Sequence, residues 1–417
     1  MELDDPALPA VAHLTGPGAV DVVGAAVAAA GGVLHDLRTS HVQYRPGADL
    51  VVRYRGDVTW ADGRHVEDET LLAATHRGAA LPGTVPVVAE ADGHRVEASV
   101  WRWPFDPLLT ALADAVTPGR GDRVLAPIVG ATQSVEVVAY RPTERAVVRV
   151  AAAAGRVYLK VVPPAELPAL VARHERLLAA GLPVPQVLAT TGDGLVVLAE
   201  RPGTTFRQRI KDDLPGWPTA DHLCALLERL HALPADVPSA RGSRTADGRG
   251  HAALLAAVLP DHAGALSALA EHFDAGVDAV RDRSGPMVHG DLHEGQLVVE
   301  PSGTISGLLD VDDAGAGDPL DDLATLAAHL RFRATVLEPD APGRVRRRLL
   351  ETSDDLRSRA AARWGRIATD DTVAAVLVGL ATGPFRLQRE GWQGAVAATI
   401  VDATRIAGLV PAGGPRT

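Results

Sequence analysis

Asp291, Gln296 and Asp310 are oxygen-bearing side chains whose spacing could gather them around one phosphate. The first two lie in His289-Gly-Asp-Leu-His-Glu-Gly-Gln296, the third in Leu308-Leu-Asp-Val-Asp-Asp-Ala-Gly315. Between them, Leu297-Val-Val-Glu300 and Ile305-Ser-Gly-Leu-Leu309 are apolar runs separated by the turn-forming Pro301-Ser-Gly-Thr304. A hairpin there brings Gln296 and Asp310 to its open end, on strands roughly 5 Å apart. A carboxylate and an amide oxygen at that separation suit a hard cation such as Mg²⁺. Asp291, on the loop entering the hairpin, would stand nearer an acceptor hydroxyl. Taken singly, His-Gly-Asp is an ordinary polar turn and Asp310–Asp313 a solvated turn or a helix start. The joint spacing carries the reading.

Protein kinases place a catalytic-loop Asp, an amide five positions on and a metal-binding Asp further along. Asp291, Gln296 and Asp310 fall on that grid, and Gly317-Asp-Pro-Leu-Asp-Asp-Leu-Ala324 follows, with Asp318 read as a helix cap. On these motifs the chain resembles the aminoglycoside phosphotransferase family, the small-molecule branch of the kinase-like fold. The resemblance implies a transferase using ATP and Mg²⁺ on a hydroxyl of a sugar, amino sugar or aminoglycoside. Asp291 would then be catalytic, with Gln296 and Asp310 as metal ligands. His293 would steady the loop, and Glu294, Asp312 and Asp313 would line an acceptor pocket or lie on the surface. Gln296 departs from the family's usual Asn, adding a methylene and a rotatable bond. The same Gln occurs in the branch resembling bacterial maltokinases and glucosamine kinases, which implies a sugar acceptor. Gly290 stands where protein kinases carry an arginine that reads an activation-loop phosphate, so a constitutively assembled site is expected. Leu-Leu-Asp-Val-Asp also resembles the Asp-x-Asp of phosphatases with an Asp nucleophile. That reading and a nucleotide-binding pseudoenzyme are the alternatives.

Lysine usage is an independent signal. Of 41 basic residues only Lys160 and Lys211 are lysines. Lys160 sits in the strand-like Arg156-Val-Tyr-Leu-Lys-Val-Val162. A compact ammonium suits α/β-phosphates in a way the broad guanidinium fork does not. Lys211, in a polar stretch, reads as surface. The amphipathic segment from Pro164 to Ala180 ends at Gly181 and reads as a helix. Glu175 is the first candidate to orient Lys160 and Glu166 the second. Gly130-Ala-Thr-Gln-Ser134 precedes an expected strand Val135–Tyr140, so Thr132 and Ser134 are candidates to contact phosphates. Gly194–Gly203 reads as a strand running into a breaker. The resemblance makes it the adenine hinge, with Ala199, Glu200 and Arg201 as candidates by position.

At 417 residues the chain has room for two or three domains, and its net charge of −11 argues against nucleic acid. The single Cys224 excludes a disulfide framework and a Cys-rich zinc cluster. No apolar run reaches the ~20 residues a membrane span needs and no signal segment opens the chain, so a cytoplasmic protein is expected. Charge and composition leave the oligomeric state open.

The expected fold class is α+β: a protein-kinase-like bilobal fold with a small β-rich nucleotide lobe, a larger helical lobe and an extra N-terminal α/β domain. Residues 121–204 read as the nucleotide lobe and 205–417 as the helical lobe with catalytic loop and acceptor site. Residues 1–120 read as a cap domain or a degenerate copy of the nucleotide lobe. Gln43-Tyr-Arg-Pro-Gly-Ala-Asp-Leu-Val-Val-Arg-Tyr54 matches Ala139-Tyr-Arg-Pro-Thr-Glu-Arg-Ala-Val-Val-Arg-Val150 at a constant offset of 96. Pro238–Arg249 reads as a mobile loop. Helices are expected at 252–257, 265–281, 320–333, 342–364, 371–381 and 392–407.

Overall fold

The computed structural model describes residues 5, 7–45, 47–75, 79–91, 94–235, 239, 244–274, 285–337, 341–387 and 391–409. The chain divides into two compact units. One comprises Met1–Ala169, Val187–Glu200 and Phe385–Glu390, the other Leu170–Gln186, Arg201–Pro384 and Gly391–Thr417.

The first unit opens with α1 (Ala10–Thr15) and α2 (Ala19–Ala29). Then come β1 (Gly32–Arg45), β2 (Asp49–Trp60), β3 (His65–Thr75), β4 (Val85–Ala91) and β5 (His94–Arg102). The sequence of elements then recurs: α3 (Leu112–Val116), α4 (Asp122–Val129), β6 (Thr132–Arg141), β7 (Arg145–Ala152) and β8 (Gly155–Val161). After α5 (Leu167–Ala179), most of which belongs to the second unit, follow β9 (Val187–Thr190) and β10 (Leu195–Ala199). The sheets are ordered β1-β2-β3-β5-β4 and β6-β7-β8-β10-β9, with every described pairing antiparallel. In β7, alternation buries Ala146, Val148, Val150 and Ala152 while Arg145 and Arg149 point outward, the half-buried pattern of period two. Val157, Leu159 and Val161 of β8 join that core with Leu112, Leu125 and Val129. Tyr158 and Lys160 therefore occupy the opposite face.

The two sheets share more than strand order. Buried Asp5 accepts the Tyr44 hydroxyl at 2.8 Å and the Gly47 N–H at 2.7 Å through one oxygen, and the Ala7 N–H through the other. Buried Asp106 accepts the Tyr140 hydroxyl at 2.8 Å and the Thr143 N–H at 2.9 Å through one oxygen, and the Leu108 and Leu109 N–H groups through the other. Tyr44 and Tyr140, like Gly47 and Thr143, stand at the sequence offset of 96. Gly47 and Thr143 share left-handed backbones, φ 68° and 62°. Register completes the match. Val51 pairs with Ala74 and Val147 with Lys160, so Ala74 takes the lysine's place in the first sheet. Ala74 lies in an apolar cluster with Val51, Leu72 and Trp101, against which Trp103 and Tyr140 pack.

The second unit is mainly helical. Its chain order is β11 (Thr204–Thr205), α6 (Phe206–Lys211), α7 (Ala220–His231), β12 (Pro234–Ala235), α8 (Arg244–Val258) and α9 (Ala263–Asp274). Next come β13 (Gly285–Val288), β14 (Leu297–Val299), β15 (Ile305–Leu308) and β16 (Gly315–Ala316). Helices α10 (Pro319–Thr335), α11 (Gly343–Trp364), α12 (Arg366–Arg386) and α13 (Trp392–Ile406) close it. Leu223, Leu227, Leu292, Leu297, Leu308 and Leu326 belong to one continuous core.

One expectation needs correction: residues 244–249 of the presumed loop form the first turns of α8. At Gly248 a Cβ would stand 2.8 Å from the Ala375 Cβ, so the missing side chain lets α8 approach α12 closely. Tertiary packing there outweighs glycine's poor helix propensity. The far end of the expected 265–281 helix lies outside the described residues. Among the described residues no helix is long and apolar enough to cross a membrane.

Candidate active site

The hairpin forms where the apolar runs place it. Leu297 pairs with Leu308 and Val298 with Gly307, and the Leu309 N–H donates to the Gln296 carbonyl at 2.8 Å. That last bond closes the open end and sets Gln296 beside Asp310, whose Oδ2 lies 3.0 Å from the Gln296 side-chain Nε2. Asp310 turns the chain sharply out of the sheet with a left-handed backbone, φ 55° and ψ 54°, into the short 3₁₀ turn Val311–Asp313. Asp residues tolerate this region better than most. Asp312 and Asp313 lie in that turn, half-buried.

The loop carrying Asp291 is tied from within. The carboxylate of Asp322, on α10, accepts the backbone N–H of His289 at 2.9 Å and of Gly290 at 3.0 Å. His231 on α7 bonds the same carboxylate at 3.0 Å. Burial alone would raise the Asp322 pKa, but His231, His289 and the backbone donors hold it below the ordinary value. The His289 ring bonds the Leu309 carbonyl at 2.9 Å through Nε2, while Nδ1 accepts the Asp291 N–H at 3.3 Å. Its proton therefore sits on Nε2. One imidazole thus joins the Asp291 loop to the hairpin end.

Gly290 has φ 83°, and a Cβ there would meet the Ser239 Oγ at 2.6 Å and the Asp313 carbonyl at 2.7 Å. No L side chain fits, which explains physically why this position carries no arginine. Arg244, at the start of α8, donates to the Gly290 carbonyl and lies 3.7 Å from Asp291 Oδ1. Asp318 caps α10 by accepting the Leu320 N–H at 3.0 Å.

Glu294 is not a surface carboxylate. It is wholly buried and ion-paired with Arg207 at 2.9 Å and Arg333 at 2.8 Å, with His329 Nδ1 at 3.7 Å. Burial alone would raise its pKa; Arg207, the neighbouring histidines and Arg333 pull it well below the usual carboxylate range. His293 stacks on His329 with ring centres 4.8 Å apart. Burial pushes both rings down, His293 to about 3 with the charges of His329 and Arg207, and His329 to about 4 with those of Arg207 and Arg244, while Glu294 pulls both the other way. His293, Glu294 and His329 offer donor atoms within 4.8 Å of one another. Two guanidiniums already neutralise Glu294, so this is an ion-pair cluster rather than a cation site.

The other candidates fall as follows. Lys160 is 3% exposed in central β8, between Val147 and Val196. Thr132 begins β6 and its hydroxyl donates to Asp122 at 2.6 Å, while exposed Ser134 pairs with Ala151. Ala199 ends β10 opposite Val157. Glu200 pairs with Arg156 at 2.9 Å. The Arg201 side chain donates to the Ser306 carbonyl at 2.8 Å, a structural bond within the second unit. Glu175 lies on the exposed side of α5, whose Leu170, His174 and Leu177 are buried; Glu166 precedes that helix and is exposed too. The structure brings Gln296 and Asp310 together, ties the Asp291 loop to their hairpin, and turns the hydroxyl of Thr132 to an internal partner. The sequence reading missed Asp322, His231, Arg207, Arg333, His329 and Arg244. Only Asp322 carried a signal, as an acidic residue among apolar neighbours in Gly317–Ala324.

A hard cation suits the donor set at the hairpin end. The Gly295 N–H donates to His293 Nδ1 at 2.9 Å, so the neutral ring carries its proton on Nε2. That nitrogen lies 3.2 Å from the Gln296 amide nitrogen, setting two donors face to face. With the amide reversed, Oε1 meets His293 and lies beside the Asp310 carboxylate, where a cation would offset the repulsion between the oxygens.

Residues 141–366 match the phosphotransferase enzyme family. No curated protein matches the chain. Among solved structures, it is similar to the aminoglycoside phosphotransferase APH(4)-Ia in complex with ADP and hygromycin B: 14% identity, TM-score 0.49, covering 70% of this chain and 99% of that one. It is also similar to the aminoglycoside phosphotransferase APH(3'')-Id from Streptomyces rimosus, with 22% identity, TM-score 0.41, and 58% and 90% covered. A third is the macrolide 2'-phosphotransferase type I, with 20% identity, TM-score 0.42, and 68% and 98% covered. With more than half of its length matched, the chain belongs to the phosphotransferase enzyme family and is a small-molecule kinase.

Proposed function

We propose that this enzyme uses ATP and Mg²⁺ to phosphorylate a hydroxyl of a sugar, amino sugar or aminoglycoside. The observation that carries the reading is the meeting of Gln296 and Asp310 at 3.0 Å, next to a loop that Asp322 ties down. Asp291 orients the acceptor hydroxyl and takes its proton as the phosphoryl group departs from ATP. Gln296 and Asp310 hold the cation, and Lys160 holds the α/β-phosphates. When bound, Mg²⁺ supplies charge neutralisation on the phosphate oxygens. Glu175 or Glu166 orients Lys160. Ala199 and its neighbours present backbone to the adenine, with Thr132 and Ser134 as the remaining candidates on the phosphate side. Positioning and charge supply most of the acceleration in such reactions, which is why few residues are needed. A sugar acceptor is supported by Gln296, and the net charge of −11 is compatible with a cationic one.

The experiment is an ATP-consumption screen over neutral sugars, amino sugars and aminoglycosides, with product mass as readout. A sugar, amino sugar or aminoglycoside gaining one phosphate supports the reading. No phosphorylated product from any of these three classes removes it.

In this reading residues 121–204 form the nucleotide lobe and 205–417 carry the catalytic loop and acceptor site. Residues 1–120 are a degenerate copy of the nucleotide lobe. The shared strand order, the two Asp–Tyr–turn locks and the equivalence of Ala74 and Lys160 support this. The copy has an apolar cluster where the lysine would stand, so the chain binds one nucleotide. Photolabelling with an azido-ATP should mark only peptides after residue 121 and be lost in Lys160→Ala. Specific label within 32–102 contradicts the reading.

A further inference from the structure

Gln296 differs from the family's Asn by one more rotatable bond, and a metal-binding amide with that freedom needs something to hold it. His293 is placed to do so. Its Nδ1 accepts the Gly295 N–H at 2.9 Å and is also approached by the Arg207 guanidinium at 3.3 Å. Arg207 is itself held by buried Glu294 at 2.9 Å, and the ring is stacked on His329. Both ring position and tautomer are thereby set: the proton is on Nε2, aimed at the Gln296 amide 3.2 Å away.

Gln296 then has two orientations with opposite costs. With Nε2 toward Asp310 it donates to that carboxylate, but it faces the His293 N–H donor to donor. With Oε1 in the same place it accepts from His293, but two oxygens meet unless a cation lies between them. The histidine penalises the first and favours the second. We propose that His293 is a positioning residue that biases the Gln296 amide toward its cation-binding orientation, offsetting the extra freedom of glutamine. This rests on the assignment of Gln296 and Asp310 as the cation donors. The residue touches no reacting atom; it acts through the amide.

The test is Mn²⁺ binding to the ADP-loaded protein by electron paramagnetic resonance, alongside the Mg²⁺ dependence of turnover. His293→Leu removes the donor, and His293→Gln keeps an N–H at a similar reach. The Leu variant should bind Mn²⁺ about tenfold more weakly, a change of about 1.4 kcal/mol. It should need correspondingly more Mg²⁺ for half-maximal rate, with kcat at saturating Mg²⁺ changed by less than about threefold, the mark of lost ground-state binding. The Gln variant should recover most of the affinity. Wild-type affinity in the Leu variant overturns the proposal, as does equal impairment of both variants. A second arm guards against misfolding. In a Gln296→Asn background, whose shorter amide does not reach the ring, His293→Leu should change Mn²⁺ affinity by less than about twofold, because pairwise coupling vanishes once one partner is gone. Equal losses in both backgrounds overturn the proposal. Wild-type protein that binds no Mn²⁺ with ADP would instead contradict the cation site itself, which distinguishes the two failures.

Discussion

The Asp322 carboxylate accepts the His289 backbone N–H at 2.9 Å, so a residue of helix α10 holds the strand end from which the Asp291 loop departs. With Gly290 at 3.0 Å and His231 at 3.0 Å it satisfies three donors in a fully buried place. Replacing it with Ala strands all three. Removing one partner from a buried charged network costs about 3–5 kcal/mol. Asp322→Ala should therefore lower stability by about that amount in denaturant melts and cut kcat more than about tenfold under conditions where it is folded, since a small misplacement is expensive in phosphoryl transfer. Wild-type stability would show that the loop is held otherwise.

Acid should weaken the second unit in a defined window. His293 and His329 are held at about 3 and about 4, against an unfolded value of about 6.5. Between those limits the unfolded chain binds more protons, so stability rises with pH there and falls on acidification. Each histidine contributes up to about 1.4 kcal/mol per pH unit in that range. Glu294, depressed below its unfolded value of about 4.3, adds a loss of the same sign at still lower pH. Melting temperatures at pH 7.5 and 5.0 should differ by several degrees, and His329→Phe should flatten the dependence. An unchanged melting temperature across that interval would show that the cluster does not couple to folding.

Gly290 gives a backbone test. Its φ of 83° disfavours any L residue by about 1–2 kcal/mol, and a Cβ would meet the Asp313 carbonyl at 2.7 Å as well. Gly290→Ala should lose at least about 2 kcal/mol of stability together with most of its activity. A fully active, equally stable variant would mean that the loop shifts freely.

Much of this site was legible because its chemistry is local. Gln296, the hairpin and Asp310 lie within one short stretch, so turn residues and apolar runs sufficed to bring the two side chains together. Lys160 stood out because lysine is scarce in this chain. The matched Tyr-Arg-Pro segments pointed toward the repeated architecture of the first unit. The supporting residues were not legible. Arg207, Arg333 and His329 reach Glu294 from α6 and α10, and no spacing in one segment encodes a meeting of that kind. Arg244 was hidden by the Gly- and Ser-rich segment around it, where close packing at Gly248 favours a helix that propensity opposes. Thr132 read as a phosphate contact because a hydroxyl next to a glycine turn suggests one; in the structure that hydroxyl donates to Asp122, which begins the preceding helix.

Single-turnover phosphoryl transfer by Asp291→Asn, with ATP and Mg²⁺ saturating and an acceptor from the screen, tests the central claim most directly. Losing the proton acceptor should slow transfer by about a hundredfold or more, in the range general-base removal produces, while ATP affinity stays within about threefold. Transfer at the wild-type rate would contradict the assignment of Asp291 and with it the reading of the hairpin site.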